Sequence, residues 1–121
     1  MKSIAPEQFA VELARLADDF KCDDVTVMDL RGRSTVADFF LIAGGTSDRQ
    51  LRGAAEAIRE YARKVGERPY SVTGFEAATW ILVDFVDIVV HLFMPDQRRY
   101  YDLELLWGDA PRLQWVRVAS A

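Results

Sequence analysis

Two carboxylates, an imidazole and an indole lie close together in one apolar stretch of the sequence. The stretch reads W-I-L-V-D-F-V-D-I-V-V-H-L-F and contains Trp80, Asp84, Asp87 and His91. Paired carboxylates can hold Mg²⁺ for phosphoryl transfer, and a histidine can serve as an acid, a base or a metal ligand. The same residue types also suit a binding surface, where an aromatic ring anchors a basic partner and the charges steer it.

A β-hairpin is the element that would position these side chains. Two apolar runs, residues 80–83 and 88–93, are rich in β-branched and aromatic residues and are separated by a short polar segment. This composition predicts a pair of antiparallel strands. Because side chains alternate along a strand, one face of the hairpin is predicted to be aliphatic. That face consists of Ile81, Val83, Ile88, Val90 and Leu92.

The register of the hairpin decides whether the candidate residues meet. If Asp84 pairs with Asp87 across a two-residue turn, Trp80 lies opposite His91 and the two carboxylates stand side by side. Val86 is a poor residue for the positive φ that such tight turns need, so a longer loop stays open as an alternative. A slip of one residue would scatter the set.

A catalytic or metal site finds little support in the sequence. His91 is the only histidine, and a zinc site would need three or four ligands. Neither Ser47 nor Cys22 has a sequence signal that places it beside His91, and no G-x-S-x-G motif occurs. We therefore predict a binding surface, with no catalytic residue, no metal and no cofactor.

Gly44-Gly45-Thr46-Ser47 is the one segment with the layout of a phosphate-binding loop, between a predicted strand and a predicted helix. It lacks G-x-x-x-x-G-K-[ST] and G-x-G-x-x-G, and Asp48 would repel an anion. Serine and threonine are favoured helix caps, so a structural role is the preferred interpretation. The alternative function is an Mg²⁺-dependent nucleotide-binding or nucleotidyltransferase-like enzyme.

Periodicity along the chain predicts an α/β fold, with a mixed sheet of about five strands and packed helices. The predicted elements are a helix at 6–20 capped by Ser3, a strand at 24–30, a buried strand at 37–43, a helix from the Thr46-Ser47-Asp48 cap to Gly66, a short edge strand at 69–73, the hairpin, and a last helix at about 97–107. Residues 113–118 are predicted to form either a short terminal strand or a loosely attached tail.

The composition fits one domain in a reducing compartment. The chain has 121 residues, of which half are hydrophobic, and a formal net charge of −4. Its single cysteine cannot form an internal disulfide, no apolar run is long enough to span a membrane, and helical signals begin near Met1. We expect a cytoplasmic protein without a signal peptide. The negative charge favours a basic protein partner over broad contact with nucleic acid.

Five blocks of sequence carry a family resemblance. They are A-D-F-F at 37–40, G-T-S-D-R-Q at 45–50, W-I-L-V-D-F at 80–85, D-I-V-V-H-L-F at 87–93 and R-Y-Y-D-L-E-L-L-W-G-D-A-P at 99–111. With them the chain resembles the ribosomal silencing factors, also called the Iojap family, over nearly its full length. The resemblance implies one domain spanning residues 1–121, within which the alternative of a loosely attached tail extends over 110–121.

The resemblance also implies a fold similar to that of nucleotidyltransferases without their active site. In this chain the acids lie a whole helix beyond Ser47, so that site is not rebuilt. The implied function is a translational repressor that binds the large ribosomal subunit through ribosomal protein L-fourteen and blocks joining of the small subunit when nutrients are scarce. Some family members are dimeric, which leaves a homodimer open.

The interface implied by the resemblance has eight residues, and one departure from the family pattern lies within it. Val86 stands where the family usually has glycine. The implied partner-binding residues are Trp80, Asp84, Phe85, Asp87, His91, Tyr101, Glu104 and Trp107.

Overall fold

The computed structural model describes residues 4–96 and 108–117. These residues form an α/β fold with the predicted order of elements. The elements are α1 (Pro6–Asp19), β1 (Asp23–Asp29), β2 (Phe39–Gly44), α2 (Asp48–Lys64), β3 (Ser71–Thr73), β4 (Trp80–Asp84) and β5 (Ile88–Phe93). The predicted last helix at about 97–107 lies outside the described residues.

The five strands form one mixed sheet in the order β1-β2-β5-β4-β3. β2 and β5 run parallel to each other, and the other neighbouring pairs are antiparallel. Every residue of β2 and β5 is buried, as expected for interior strands whose two faces are both covered. The predicted mixed sheet, its buried strand and its short edge strand at β3 are therefore confirmed.

Both helices pack on the same face of the sheet, which we call the helix face. α1 contributes Phe9 and Leu13, α2 contributes Leu51 and Ile58, and the predicted aliphatic face of the hairpin lies beneath them. The opposite, second face holds a separate apolar cluster on which neither described helix packs. That cluster contains Met28, Leu30, Ala37, Phe40, Ile42, Val89, Phe93 and Ala110, with Trp80 and Leu82 packed against it.

The helix ends follow local chemistry. α2 begins at Ser47, whose Oγ accepts a hydrogen bond of 3.0 Å from the amide of Gln50, and its end is followed by Gly66 at φ 82°. α1 begins with Pro6 after Ala5, which makes no side-chain cap. The predicted cap, Ser3, lies outside the described residues, and Ala5 occupies the N-cap position.

The hairpin register differs from the tight-turn prediction by two residues. Trp80 pairs with Phe93, and Asp84 pairs with Val89 rather than with Asp87. The loop between the strands is longer, and it is closed by a hydrogen bond of 2.8 Å from the amide of Phe85 to the carbonyl of Ile88. Asp84 and Asp87 are consequently not cross-strand partners.

Residues 111–117 lie along the free edge of β1. The amide of Leu113 donates to the carbonyl of Val27 across 2.9 Å, and Trp115 Nε1 donates to the carbonyl of Val25 across 3.0 Å. Arg117 adds hydrogen bonds of 2.9 and 3.0 Å to the carboxylate of Asp19. Backbone and side-chain bonds therefore both join this part of the tail to the rest of the domain.

Candidate functional site

Trp80 and His91 are diagonal neighbours on the second face of the hairpin. Trp80 lies opposite Phe93 and His91 lies opposite Leu82, so the indole and imidazole come from adjacent strands two positions apart. The indole Nε1 donates a hydrogen bond of 3.2 Å to Nδ1 of His91. The predicted closeness of these residues is therefore real, although their pairing is diagonal rather than direct.

Aromatic rings surround this hydrogen bond. The ring of Trp80 stacks on Phe93 with centroids 4.9 Å apart, and His91 stacks on Phe93 at 5.9 Å with nearly parallel planes. Phe40 meets the imidazole edge-on at 4.7 Å. Such contacts fix the orientation of each ring as well as burying it.

His91 lies inside the protein, with 4% of its surface exposed. Burial removes the imidazole from water and lowers its pKa to about 4, so the ring is neutral near neutral pH. Its Nε2 is buried and makes no hydrogen bond. His91, which the family resemblance places in the interface, is thus buried among rings from β2, β4 and β5.

The two carboxylates occupy different positions in the hairpin loop. Asp84 is half-buried, and its Oδ1 accepts a hydrogen bond of 2.7 Å from the amide of Val86. Asp87 has an exposed side chain, while its carbonyl accepts from the amides of Asp38 and Phe39 at 2.8 and 3.0 Å. Asp84 thus shapes the loop and Asp87 presents charge to solvent.

Phe85 lies on the other side of the sheet from Trp80. Its ring is buried in the helix-face core and meets Phe9 of α1 edge-on, with centroids 5.1 Å apart. The family resemblance implied an interface that holds both Phe85 and Trp80, but their rings pack in clusters on opposite sides of the sheet. The three-residue loop, 85–87, allows this turn toward α1, which brings another apolar ring into the core.

Val86 occupies the tip of the loop with φ 76° and 57% of its surface exposed. Positive φ is strained for a β-branched residue, whose Cβ substituents crowd the backbone. Val86 therefore adopts a backbone conformation that glycine would adopt without strain. Tyr70 lies nearby, since its amide donates to the carbonyl of Asp84 across 2.6 Å, and its side chain is 79% exposed.

Tyr70 is an exposed aromatic residue beside the hairpin loop that no sequence motif marks. Its position next to the acidic loop follows from the pairing of β3 with β4, which places Ser71 opposite Asp84. The only local signal was an aromatic residue after Pro69, at the start of a predicted edge strand. Such a signal gives no information about which loop the ring will adjoin.

The Gly45-Thr46-Ser47 segment is closed by Gln50. Gln50 Oε1 accepts a hydrogen bond of 2.8 Å from the amide of Thr46, while Ser47 Oγ accepts from the amide of Gln50. These two amides are therefore already bonded within the protein, in a variant of the capping box in which Gln50 bonds the amide of Thr46 instead of that of the cap residue, Ser47. A phosphate would have to displace those bonds to use them.

Gln50 is a second residue whose role is visible only in the structure. Its Nε2 also donates to the carbonyls of Phe20 and Lys21, at 2.9 and 2.8 Å, which ties the start of α2 to the end of α1. A Cβ on Gly45 would lie 2.6 Å from Leu51 Cδ2 and 2.8 Å from Gln50 Oε1, so a larger residue would force these side chains to shift. The S-x-x-Q spacing of a capping box was the signal that could have identified Gln50.

Other chemically active groups are not assembled into a reactive site. Cys22 is buried, and desolvation raises the pKa of its thiol to about 11, which disfavours the nucleophilic thiolate. Within 4–96 and 108–117, no group of three or more histidine, cysteine, aspartate or glutamate residues could hold a metal ion. Across the same ranges, no helix is long and apolar enough to cross a membrane.

The predicted interface set therefore divides into three parts. Trp80, Asp84 and Asp87 lie at least partly at the surface, whereas Phe85 and His91 are buried. The remaining residues fall outside the described part of the chain. They are Tyr101, Glu104 and Trp107.

Comparison with known proteins gives consistent matches along the chain. A family model described as "Ribosomal silencing factor during starvation" matches residues 3–120. A Bacillus subtilis protein named ribosomal silencing factor RsfS is 46% identical over 98 residues, covering 81% of this chain and 83% of that protein. A protein of the same name from Halalkalibacterium halodurans is 42% identical over 113 residues, covering 90% of this chain and 97% of that protein.

A solved structure shares the whole fold. A crystal structure of a protein from Chromobacterium violaceum matches with a TM-score of 0.83 and 28% sequence identity. The match covers 96% of this chain and 97% of that one. The arrangement of strands and helices described above is thus found in a homologous protein along almost its entire length.

Proposed function

The chain belongs to the ribosomal silencing factor family, and from that premise we propose that it is a non-enzymatic repressor of translation that binds the large ribosomal subunit. The observation that carries this proposal is the family match over residues 3–120. The finer mechanism is that the bound protein sterically blocks joining of the small subunit, with nutrient limitation as the condition in which it acts. Its bacterial relatives support a cytoplasmic site of action.

The size of the protein is compatible with a steric block. A compact domain of 121 residues has a radius of gyration of about 14 Å. A rigid domain of that size bound to the large subunit where the small subunit joins would keep the two subunits well beyond contact distance. Such a mechanism requires occupancy of a site and no chemical step.

We propose ribosomal protein L-fourteen as the point of attachment on the large subunit. Trp80, Asp84 and Asp87, which we call the hairpin surface, supply an aromatic anchor and two acidic groups for a basic protein. Trp80 and Asp84 are four residues apart on one side of β4, which corresponds to roughly 13 Å. The net charge of −4 would favour a basic protein surface and disfavour direct contact with RNA phosphates.

The other predicted contacts keep different roles in this proposal. Phe85 and His91 would act from beneath the surface, because both are buried. Tyr101, Glu104 and Trp107 remain proposed contacts on the strength of the family resemblance alone. Homodimer formation also remains a prediction, which light scattering coupled to size-exclusion chromatography would test.

The alternative, an Mg²⁺-dependent nucleotide enzyme, has less support. The amides of Thr46 and Gln50 already donate hydrogen bonds inside the protein. Asp84 Oδ1 likewise accepts a hydrogen bond from the amide of Val86. A nucleotidyltransferase-like reaction would need those amides free to bind phosphate and that carboxylate free to bind the metal. Calorimetry with nucleoside triphosphate and Mg²⁺ should give a flat titration.

Co-sedimentation with isolated ribosomal subunits tests the main proposal. We expect binding to large but not small subunits, and a fall in joined ribosomes on a sucrose gradient as the protein is added. Trp80→Ala should weaken both effects, while circular dichroism checks that this variant stays folded. Absence of large-subunit binding by the wild-type protein would reject the proposal.

The attachment point needs its own experiment. Purified L-fourteen should bind the protein directly by calorimetry, and free L-fourteen added in excess should compete with large subunits. If the protein binds large subunits but not L-fourteen, the attachment point is wrong while the repressor function stands.

A further inference from the structure

His91 is the only polar or charged side chain that the described part of the chain buries. It lies on β5, the middle strand, among the rings of Phe40, Trp80 and Phe93. An apolar residue would fit such surroundings without any need for a hydrogen-bond partner. The presence of an imidazole there needs a reason other than packing.

The hydrogen bonding of His91 fixes its tautomer. Nδ1 accepts from Trp80 Nε1, so in the neutral ring the proton must be on Nε2. Nε2 is buried without a hydrogen-bond partner, which costs stability, because a buried donor loses its water and gains nothing in return. His91 therefore satisfies the indole of Trp80 while one of its own groups stays unsatisfied.

The benefit of this arrangement falls on Trp80. A half-buried indole on a sheet face can occupy several staggered rotamers, and only some of them direct Nε1 toward the interior. The bond to His91 and the stacking on Phe93 together select one orientation. In that orientation the only polar atom of the indole points inward, so the accessible part of the ring is carbon.

We propose that His91 is a positioning residue, which holds the indole of Trp80 in the orientation that the large-subunit partner recognises, without contacting the partner itself. This inference rests on the proposed function, since it assigns Trp80 to the contact. It also specifies the kind of contact. The partner meets carbon atoms of a half-buried indole, which suits an aliphatic side chain or the methylene stem of an arginine or lysine.

Stability and binding should separate in the right variant. His91→Leu removes the acceptor and the unsatisfied Nε2 together, so its melting temperature should equal or exceed that of the wild type. Its affinity for large subunits should nevertheless fall about three- to tenfold, because the indole loses one hydrogen bond that selects its orientation. A purely structural role for His91 predicts no such separation.

Two further variants sharpen the comparison. His91→Asn keeps an acceptor oxygen near the position of Nδ1 and should restore most of the lost affinity. Ile42→Val is the matched control, since Ile42 pairs with His91 across β2 and β5 and lies in the same cluster. It removes one methyl group there without touching the hydrogen bond, and it should bind as the wild type does.

The indole itself provides a direct readout. In ¹H–¹⁵N spectra, the Trp80 indole signal can be assigned by its loss in Trp80→Phe. We expect slow hydrogen exchange of this N–H in the wild type, fast exchange in His91→Leu and intermediate exchange in His91→Asn. The order of exchange rates should follow the order of affinities.

Three outcomes would overturn the inference. One is an indole N–H that exchanges equally fast in the wild type and His91→Leu; the second is full affinity in His91→Leu despite a released indole. The third is loss of affinity only in proportion to loss of melting temperature. If the wild type does not bind large subunits, the proposed function fails, and the exchange rates alone decide whether His91 orients Trp80.

Discussion

The indole Nε1 of Trp80 donates to Nδ1 of His91 across 3.2 Å, and this bond joins a half-exposed ring on β4 to a buried one on β5. A residue proposed to touch the ribosome is thus hydrogen-bonded to a residue with only 4% of its surface exposed. The bond exists only while His91 is neutral, because a protonated imidazole has no acceptor. Protonation of His91 should therefore break this bond.

Mild acid should destabilise the protein through His91. The pKa of this group is about 4 in the folded protein against 6.5 ordinarily, so the unfolded chain takes up its proton first as pH falls. The pH-dependent contribution of neutral His91 to the free energy of unfolding is complete above pH 6.5. It is lost as pH falls toward 4 and does not change further below that. Between pH 7 and pH 5 the free energy of unfolding should drop by about 2 kcal/mol.

Urea unfolding at the two pH values measures this drop, with His91→Leu as the control that should lack it. Hydrogen bonds to arginine lower the pKa values of Asp19 and Asp29 from 3.8, so these carboxylates change stability only in more acidic solution. Equal pH dependence in the wild type and His91→Leu would show that the buried imidazole is not the cause.

Replacing Val86 with glycine should stabilise the fold. Val86 holds φ 76° at an exposed loop tip, where glycine adopts the same backbone without crowding and little apolar burial is lost. We expect a gain of about 1 kcal/mol in the free energy of unfolding. Val36→Gly is the matched control, because Val36 is also exposed but lacks positive φ, and it should destabilise. A loss of stability in Val86→Gly would refute the strain argument.

Charge reversal at Asp87 should slow association with large subunits. Asp87→Lys replaces an exposed negative charge on the hairpin surface, and the affinity should fall about tenfold, mainly in the association rate. The difference from the wild type should shrink as salt is raised, because exposed charges are screened.

Glu60→Lys makes the same change of charge on the solvent side of α2, away from the second face. It should affect binding much less than Asp87→Lys, and stopped-flow measurements with labelled protein compare the two rates. Equal effects would mean that net charge steers binding and that the hairpin surface has no special part.

Gln50→Ala should destabilise the protein more than Ser47→Ala. The Gln50 side chain joins the Thr46 amide to the carbonyls of Phe20 and Lys21, whereas Ser47 caps one amide. We expect losses of about 2 kcal/mol for Gln50→Ala and about 1 kcal/mol for Ser47→Ala. Glu56→Ala, on the exposed side of the same helix, should change stability by less than about 0.5 kcal/mol. If thermal unfolding ranks Gln50→Ala with Glu56→Ala, the tie between the helices is not important.

Periodicity was sufficient for most of the scaffold. The spacing of Phe9, Leu13, Leu51 and Ile58 predicted two helices with one apolar side, and both sides pack where expected. Runs of β-branched and aromatic residues likewise gave the strands, since these patterns depend only on neighbours along the chain. The cap at Ser47 and the end at Gly66 are equally local, and both were predicted correctly.

The candidate site was predicted in part. The sequence placed Trp80 and His91 together on one side of the hairpin, and that is where they lie. It did not predict that His91 is buried, because the alternation of residues says which face a side chain is on and not whether that face is covered. Tyr70 and Gln50 were missed for a related reason, since their partners are distant along the chain.

The sequence by itself determined the faces of the hairpin, and only the tertiary structure decided its register. A shift of two residues leaves every side chain on the same face, so the pattern is equally satisfied when Asp84 pairs with Asp87 or with Val89. Contacts between distant elements distinguish the two. The longer loop lets Phe85 turn to Phe9 on α1, and the resulting pairing puts the Trp80 indole on Phe93 with its N–H directed at His91.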